Sequence, residues 1–295
     1  MGGDVFEIVF RYDAERCRAT QMPTCASDAC RRLEDGNRDF AHLFDAVPQV
    51  RGSVRRLVPF DPRDLGLTDV EGTAPKQHPF AIVLGCSDAR VPTELIFNKW
   101  CNELFVVRVA GNVLGADTLG SIDYAVSQLR ERVTLMVVLG HSGCGAVTAA
   151  VDVFLKPAQY LAFATSHPLR TIIDRVVVVV RGASRALELA HGEDVSHQAG
   201  YRRALIEMTV AMNAALTAHT LDQELRRSPA TTPIATVYGV YDLATRRVNV
   251  PGMAPAGGRE MDVSLQAPPA DIDAFAELAR RLAATDDVRA LLAAA

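Results

Sequence analysis

Two short segments of the sequence carry the residue types best suited to metal chemistry. One runs from Cys86 to Arg90 (Cys-Ser-Asp-Ala-Arg) and the other from His141 to Cys144 (His-Ser-Gly-Cys). Zinc prefers thiolate and imidazole ligands, and a catalytic zinc commonly takes three protein ligands and keeps a fourth position open. Cys86, His141 and Cys144 can supply those three. Either segment alone is weak evidence, but each follows an apolar run, and together they predict a zinc site.

Asp88 and Arg90 lie inside the first segment, separated by one residue. At that spacing they can form a charge-assisted pair that keeps the carboxylate ionised and oriented. Asp88 could be a fourth zinc ligand, or it could lie beside the open position and handle protons. A surface ion pair of little energetic value is the alternative, and the position of the pair within the cysteine motif argues against it.

The two segments and their surroundings resemble the β-class carbonic anhydrases. The signature of that family, Cys-x-Asp-x-Arg followed by His-x-x-Cys, is intact in this chain. The similarity covers most of the chain, from residue 28 to residue 250. Further matching stretches are Leu33 to Asn37, Pro92 to Glu94, Leu104 to Asn112, Gly120 to Val126 and Tyr241 to Leu243.

The resemblance implies zinc-dependent, reversible hydration of carbon dioxide to bicarbonate and a proton. Zinc held by Cys86, His141 and Cys144 would lower the pKa of bound water, giving the hydroxide that attacks carbon dioxide. The resemblance also implies two states of the site: Asp88 held by Arg90, or Asp88 moved onto zinc as a fourth ligand. Because two thiolates offset most of the ion's charge, we expect activity to rise toward alkaline pH.

Gln77 precedes Cys86 by nine residues. Some members of the family carry a glutamine there that donates a hydrogen bond to a substrate oxygen. Such an amide would stabilise the charge that develops on that oxygen. A solvated loop glutamine beside His78 and Pro79 is the other interpretation, and the sequence leaves both open.

Two other functions fit the same residues. Hydrolysis of carbonyl sulfide or carbon disulfide uses this fold and zinc in a few relatives, and substrate access rather than ligand identity would distinguish it. The other is a non-catalytic zinc protein that senses bicarbonate, which predicts a site closed by four ligands at every pH. The sequence favours carbon dioxide over the sulfur substrates only because its hydration is the commoner activity of the fold.

Composition limits the partners and the compartment. The 295 residues are 49% apolar and carry a formal net charge of -4, so we expect a small-molecule substrate and no nucleic acid. No apolar run reaches the roughly 18 to 20 residues of a membrane-spanning helix, and the N-terminus lacks a signal-peptide layout. Two cysteines are needed as thiolates, which favours a reducing compartment, and we predict a cytoplasmic protein.

The elements that must position these residues alternate along the central region. Short apolar runs at 80–85, 104–109, 133–139 and 234–240 suit parallel strands covered on both faces. Helical patterns lie between them, which predicts an α/β fold with an open, mainly parallel β-sheet flanked by helices. Ligands of such sheets bind outside the carboxyl ends of the strands, where both motifs can meet.

We divide the chain into a leader of uncertain structure (1–25), a catalytic domain (26–250) and a linker with a C-terminal helical extension (251–295). An amphipathic helix is predicted at 26–45, and in the family this helical arm packs across a partner subunit, so we expect a homodimer or a dimer of dimers. A single terminal helix is predicted at 270–295. The run from Val176 to Val180 has strand propensity, but its neighbours favour a helix.

Overall fold

Two β-sheets organise the chain in the computed structural model, which describes residues 5–12, 22–46, 53–65, 74–129, 131–161, 167–227, 234–252 and 265–294. The strands are β1 (Val5–Tyr12), β2 (Ser53–Phe60), β3 (Ala81–Gly85), β4 (Leu104–Arg108), β5 (Leu135–His141), β6 (Ala235–Tyr241) and β7 (Val248–Asn249). The main sheet has the order β4-β3-β5-β6-β7, in which β7 alone is antiparallel to its neighbour. The predicted mainly parallel sheet and its four predicted strands are confirmed.

Helices flank this sheet. They are α1 (Ala26–Ala46), α2 (Thr93–Ile96), α3 (Ala116–Gln128), α4 (Gly145–Leu155), α5 (His167–His191), α6 (Tyr201–Arg227), α7 (Ile272–Ala283) and α8 (Asp286–Ala293). The helix predicted at 26–45 is confirmed, and the run at 176–180 lies within α5, as its neighbours indicated. Among the helices described, none is long and apolar enough to cross a membrane.

Strands β3 and β5 bury both of their faces, which is why their sequences are almost continuously apolar. Along β3, Ile82 and Leu84 face one hydrophobic core, shared with α4, α5 and α6, whereas Ala81 and Val83 face a second core. Leu33 of α1 is buried in that second core. Side chains alternate between faces along a strand, so a strand between two helical layers needs apolar residues at every position.

The C-terminal extension forms two helices, so the prediction of one terminal helix is wrong. The chain breaks between Ala283 and Asp286, where the Thr285 hydroxyl accepts a hydrogen bond from the Val288 N–H at 3.2 Å and begins α8. A threonine followed by two acidic residues is a favourable helix start, because these side chains satisfy and complement the free N–H groups. Helix α7 packs on α5 and α6, helix α8 packs on α6, and the side chains of Leu278, Leu282 and Leu292 are buried.

The N-terminal strand β1 pairs in parallel with β2 in a separate two-stranded sheet. This strand lies in the leader to which the sequence assigned no structure. Trp100, just before β4, contacts the ring of Phe10 at a centroid distance of 4.2 Å and that of Phe60 at 5.7 Å. The small sheet is therefore attached to the main body of the protein by aromatic packing.

Candidate metal centre

Three side chains meet at the carboxyl edge of the main sheet. Cys86 directly follows β3, His141 ends β5, and Cys144 immediately precedes α4. Because β3 and β5 are parallel neighbours, the residues that end them lie at the same edge. The ligand atoms of the three residues lie within 4.8 Å of one another, and all three residues are buried. The structure thus brings the two sequence motifs into one cluster.

The distances in this cluster fit a tetrahedral zinc ion. Two thiolates bound to one zinc at about 2.3 Å lie about 3.8 Å apart, and the sulfur atoms of Cys86 and Cys144 are 3.9 Å apart. The Nδ1 atom of His141 lies 3.0 Å from the carbonyl oxygen of Ser142, so this nitrogen can carry the ring proton. Nε2 is buried without a hydrogen-bond partner among the described residues, which leaves its lone pair for a metal.

The electrostatics of the two thiols also favour a cation. Hydrogen bonds to the sulfur of Cys86, first of all from Cys144, lower the pKa of Cys86 despite its burial. The same contact, together with burial, raises the pKa of Cys144, although N–H groups at the start of α4 oppose this effect. The protein alone therefore stabilises one thiolate, and two adjacent buried thiolates require a metal ion between them.

Arg90 holds the carboxylate of Asp88 at two points. Its Nε donates to Oδ1 at 3.0 Å and a terminal nitrogen donates to Oδ2 at 2.8 Å. These hydrogen bonds hold the pKa of Asp88 well below its usual range. Oδ2 lies 3.9 Å from Nε2 of His141, so the carboxylate borders the cluster while it remains bound to Arg90.

Gln77 lies at the opposite end of β3 from Cys86. It is exposed, and the backbone N–H of its neighbour His78 is bonded to Asn102, which precedes β4. The five residues of β3 separate the two ends by about 16 Å at the usual rise of a strand. Within one chain, Gln77 does not reach the three-residue cluster.

Three residues to which the sequence assigned no role support the loops of the cluster. Arg108 donates from Nε to the carbonyl oxygen of Cys86 at 2.9 Å and from a terminal nitrogen to that of Asp88 at 2.6 Å. The other two, Glu207 and Asn213, lie on α6 and form hydrogen bonds with the backbone of Gly143 and Gly111, respectively. In the sequence, Glu207 and Asn213 appear only as two polar residues within an alanine-rich helical stretch. That pattern does not reveal what their side chains contact.

A family model described as carbonic anhydrase matches residues 81–248, more than half of the chain, and that stretch contains Cys86, Asp88, His141 and Cys144. The chain belongs to the β-carbonic anhydrase family. Enzymes of this family use zinc, in agreement with the donor set and the sulfur–sulfur distance of the cluster.

Named relatives match shorter stretches. Carbonic anhydrase 2 of Mycobacterium tuberculosis is 51% identical over 80 residues, which is 27% of this chain and 38% of that protein. The carbonic anhydrase of Mycolicibacterium smegmatis is 51% identical over 100 residues, which is 34% of this chain and 45% of that protein. The matched stretches span less than half of the length of either relative.

Solved structures of the family are similar at lower identity. The β-carbonic anhydrase of Coccomyxa in complex with acetazolamide is 21% identical, with a TM-score of 0.49 over 73% of this chain and 83% of that chain. One of two tetrameric β-carbonic anhydrases of Sordaria macrospora is 21% identical, with a TM-score of 0.44 over 64% of this chain and 83% of that chain.

Proposed function

We propose that this protein is a zinc-dependent carbonic anhydrase that interconverts carbon dioxide and bicarbonate. The observation that carries the proposal is the buried Cys86–His141–Cys144 cluster, with a free imidazole nitrogen and a sulfur–sulfur distance suited to zinc. Cys86, His141 and Cys144 are the proposed ligands. The family match at 81–248 lies inside the catalytic domain that we place at residues 26–250.

The chemistry is divided between the metal and the Asp88–Arg90 pair. When bound, zinc acts as a Lewis acid that makes water nucleophilic near neutral pH. Arg90 keeps Asp88 ionised and fixes the direction of its carboxylate. Since the hydrogen bonds from Arg90 hold the pKa of Asp88 low, this carboxylate would accept a hydrogen bond from the nucleophilic water and would not store the proton itself.

Asp88 has a second proposed role as a fourth zinc ligand in a closed state of the site. Oδ2 already lies 3.9 Å from His141 Nε2, so only a short movement separates the carboxylate from the cluster. That movement must break the two side-chain hydrogen bonds from Arg90. The strength of the Asp88–Arg90 pair therefore sets the balance between the open and the closed state.

Assembly as a homodimer or a dimer of dimers is part of the proposal. Gln77 is remote from the cluster of its own chain, so its proposed contact with substrate needs a second copy that presents Gln77 to this site. The end position of β4 in the sheet supports such an assembly, because an edge strand offers an unpaired row of backbone groups. We also infer a cytoplasmic location, where the ligand cysteines remain reduced.

Stopped-flow measurement of carbon dioxide hydration at about pH 7 and about pH 8.5 tests the function. Zinc content is determined on the same sample, and Cys144→Ser is the control. We expect about one zinc per chain, hydration that increases at the higher pH, and loss of both zinc and activity in the variant. One zinc per chain without hydration at either pH would contradict the proposal and direct the assays to carbonyl sulfide, carbon disulfide and bicarbonate sensing.

A further inference from the structure

Helix α6 runs behind the metal centre, and two of its polar side chains reach the loops around the ligands. Asn213 is only 4% exposed and donates from Nδ2 to the carbonyl oxygen of Gly111 at 2.9 Å. Glu207, six residues earlier, accepts a hydrogen bond from the N–H of Gly143 at 3.0 Å. One helix therefore contacts two loops that are far apart in the sequence.

Gly111 connects Asn213 to a proposed zinc ligand. Its carbonyl oxygen accepts from Asn213, while its N–H donates to the sulfur of Cys86 at 3.4 Å. Gly111 has a φ of +67°, in the left-handed region that favours glycine. A hydrogen bond donated to a ligand sulfur stabilises its negative charge and orients it, so the amide of Asn213 acts on Cys86 through a single residue.

Gly143 lies between His141 and Cys144, and its N–H is the group that contacts Glu207. Its φ is +62°, and a Cβ built on it would meet no atom within 4 Å. The hydrogen bond to Glu207 orients the N–H of Gly143. Ser142 holds the same turn from the other side, because its N–H donates to the carbonyl oxygen of Tyr241 at 3.0 Å and its hydroxyl accepts from the N–H of Leu243 at 2.9 Å. The turn in question spans two of the three proposed ligands.

We propose that Asn213 and Glu207 are positioning residues for zinc. Through Gly111 and Gly143 they keep the sulfur of Cys86 and the turn from His141 to Cys144 in the geometry that binds the ion. The proposal rests on the zinc site proposed above. Their hydrogen bonds go to the backbone of Gly143 and Gly111, so both side chains act on the metal through the backbone.

Two substitutions remove these contacts and two controls keep them. Asn213→Leu removes the donor while keeping the number and branching of the side-chain heavy atoms, and Glu207→Leu removes the acceptor. Glu207→Gln retains an acceptor oxygen and should restore the contact. Thr209→Val is the matched helix control, because Thr209 is 0% exposed and its hydroxyl donates to Leu205 within the helix at 2.6 Å.

The readouts are zinc affinity, from competition with a chelator, and the thiolate-to-metal absorption band of the cobalt-substituted protein. We expect Asn213→Leu and Glu207→Leu to weaken zinc binding about 10- to 100-fold and to shift the cobalt band. Glu207→Gln and Thr209→Val should retain the wild-type affinity and band. A role in fold stability alone would lower the melting temperature without changing either readout.

Unchanged zinc affinity and cobalt spectra in both leucine variants would overturn this inference while leaving the zinc site intact. Failure of the wild-type protein to bind zinc would overturn the proposed function, and this inference with it. If Asn213→Leu does not fold, the comparison of Glu207→Leu with Glu207→Gln decides the question. Glu207 is only half-buried, so its substitution is tolerated better than that of a core residue.

Discussion

The sulfur atoms of Cys86 and Cys144 lie 3.9 Å apart, although 58 positions separate the two residues in the chain. The distance is close to the roughly 3.8 Å expected for two thiolates on one tetrahedral zinc. It is far longer than the roughly 2.0 Å of a disulfide bond. The fold therefore holds the two sulfurs apart at a metal-binding distance, and both are buried.

Removal of zinc should change the reactivity of these two cysteines. In the zinc-loaded protein we expect Cys86 and Cys144 to resist alkylation, because both sulfurs are bound to metal and buried. After chelation, Cys86 should react first, since its pKa is lowered. Mass spectrometry after iodoacetamide treatment measures the outcome, with the exposed Cys25 as the internal control that reacts in both samples. Labelling of Cys86 in the zinc-loaded protein that is as complete as that of Cys25 would rule out Cys86 as a ligand.

Arg90→Met should reduce turnover without loss of zinc. The substitution removes both side-chain hydrogen bonds to Asp88 and keeps the one from the Arg90 backbone N–H to Oδ1, so the carboxylate rotates toward the metal more easily. We expect the kcat for carbon dioxide hydration to fall about 10- to 100-fold, with zinc content unchanged.

A second arginine provides the matched control for this prediction. Arg63 donates from Nε to both carboxylate oxygens of Asp61, at 2.9 and 3.0 Å, and thus also pairs with an acid two residues earlier. Arg63→Met should leave kcat unchanged. If the two variants lose activity equally, the Asp88–Arg90 pair has no special part in turnover.

Lys99 should make stability depend on pH in the alkaline range. Burial lowers the pKa of Lys99 from 10.5 to about 8. Between these values the unfolded chain binds more protons than the folded protein, so the free energy of unfolding rises with pH over that window. Below the window the cost of burying the charged amine is fully present, and above it the cost is absent.

Lys99→Met isolates this contribution. We expect the free energy of unfolding of the wild-type protein to rise by about 1 to 3 kcal/mol relative to Lys99→Met between about pH 7 and pH 10.5. Urea denaturation at a series of pH values measures the difference. Cys30 and Tyr238, whose pKa values are raised by burial to about 12, act in the opposite direction, but they do so in both proteins and cancel. A constant difference across the range would contradict the prediction.

Gly200→Ala should loosen the C-terminal helices. A Cβ at Gly200 would lie 1.8 Å from the carbonyl oxygen of Leu291 in α8, and backbone cannot yield as a flexible side chain can. We expect a loss of about 1 to 3 kcal/mol or more in thermal unfolding. The control is Gly182→Ala in α5, where the added methyl meets only the flexible end of Met212 at 3.3 Å and should be neutral or stabilising. Equal stability of the two variants would mean that α8 does not pack against the start of α6.

Much of the central fold could be predicted because its signals are local. A strand between two helical layers must be apolar at every position, so β3, β4, β5 and β6 appear as short apolar runs. The signature around Cys86 and His141 was equally accessible, since zinc accepts few residue types and those residues follow the strands directly.

Other structural features had no signal in the sequence, or had a signal that was misinterpreted. No local sequence pattern predicts that β1 pairs with β2. The two strands are more than forty residues apart in the chain, with Val5 opposite Ser53 at one end of the pair. The break at Thr285 did carry a signal, a capping threonine before two acids, which the apolar periodicity of the surrounding stretch concealed.

The sequence by itself determined which residues can bind zinc and that their strands form a parallel sheet. Only the tertiary structure decided that Gln77 lies exposed at the far end of β3, that Glu207 contacts Gly143, and that Asn213 contacts Gly111. The physical reason is distance along the chain. Residue types and periodicity report the neighbours of a residue in sequence, whereas a contact such as that between Asn213 and Gly111, 102 positions apart, exists only once both sheet faces are packed.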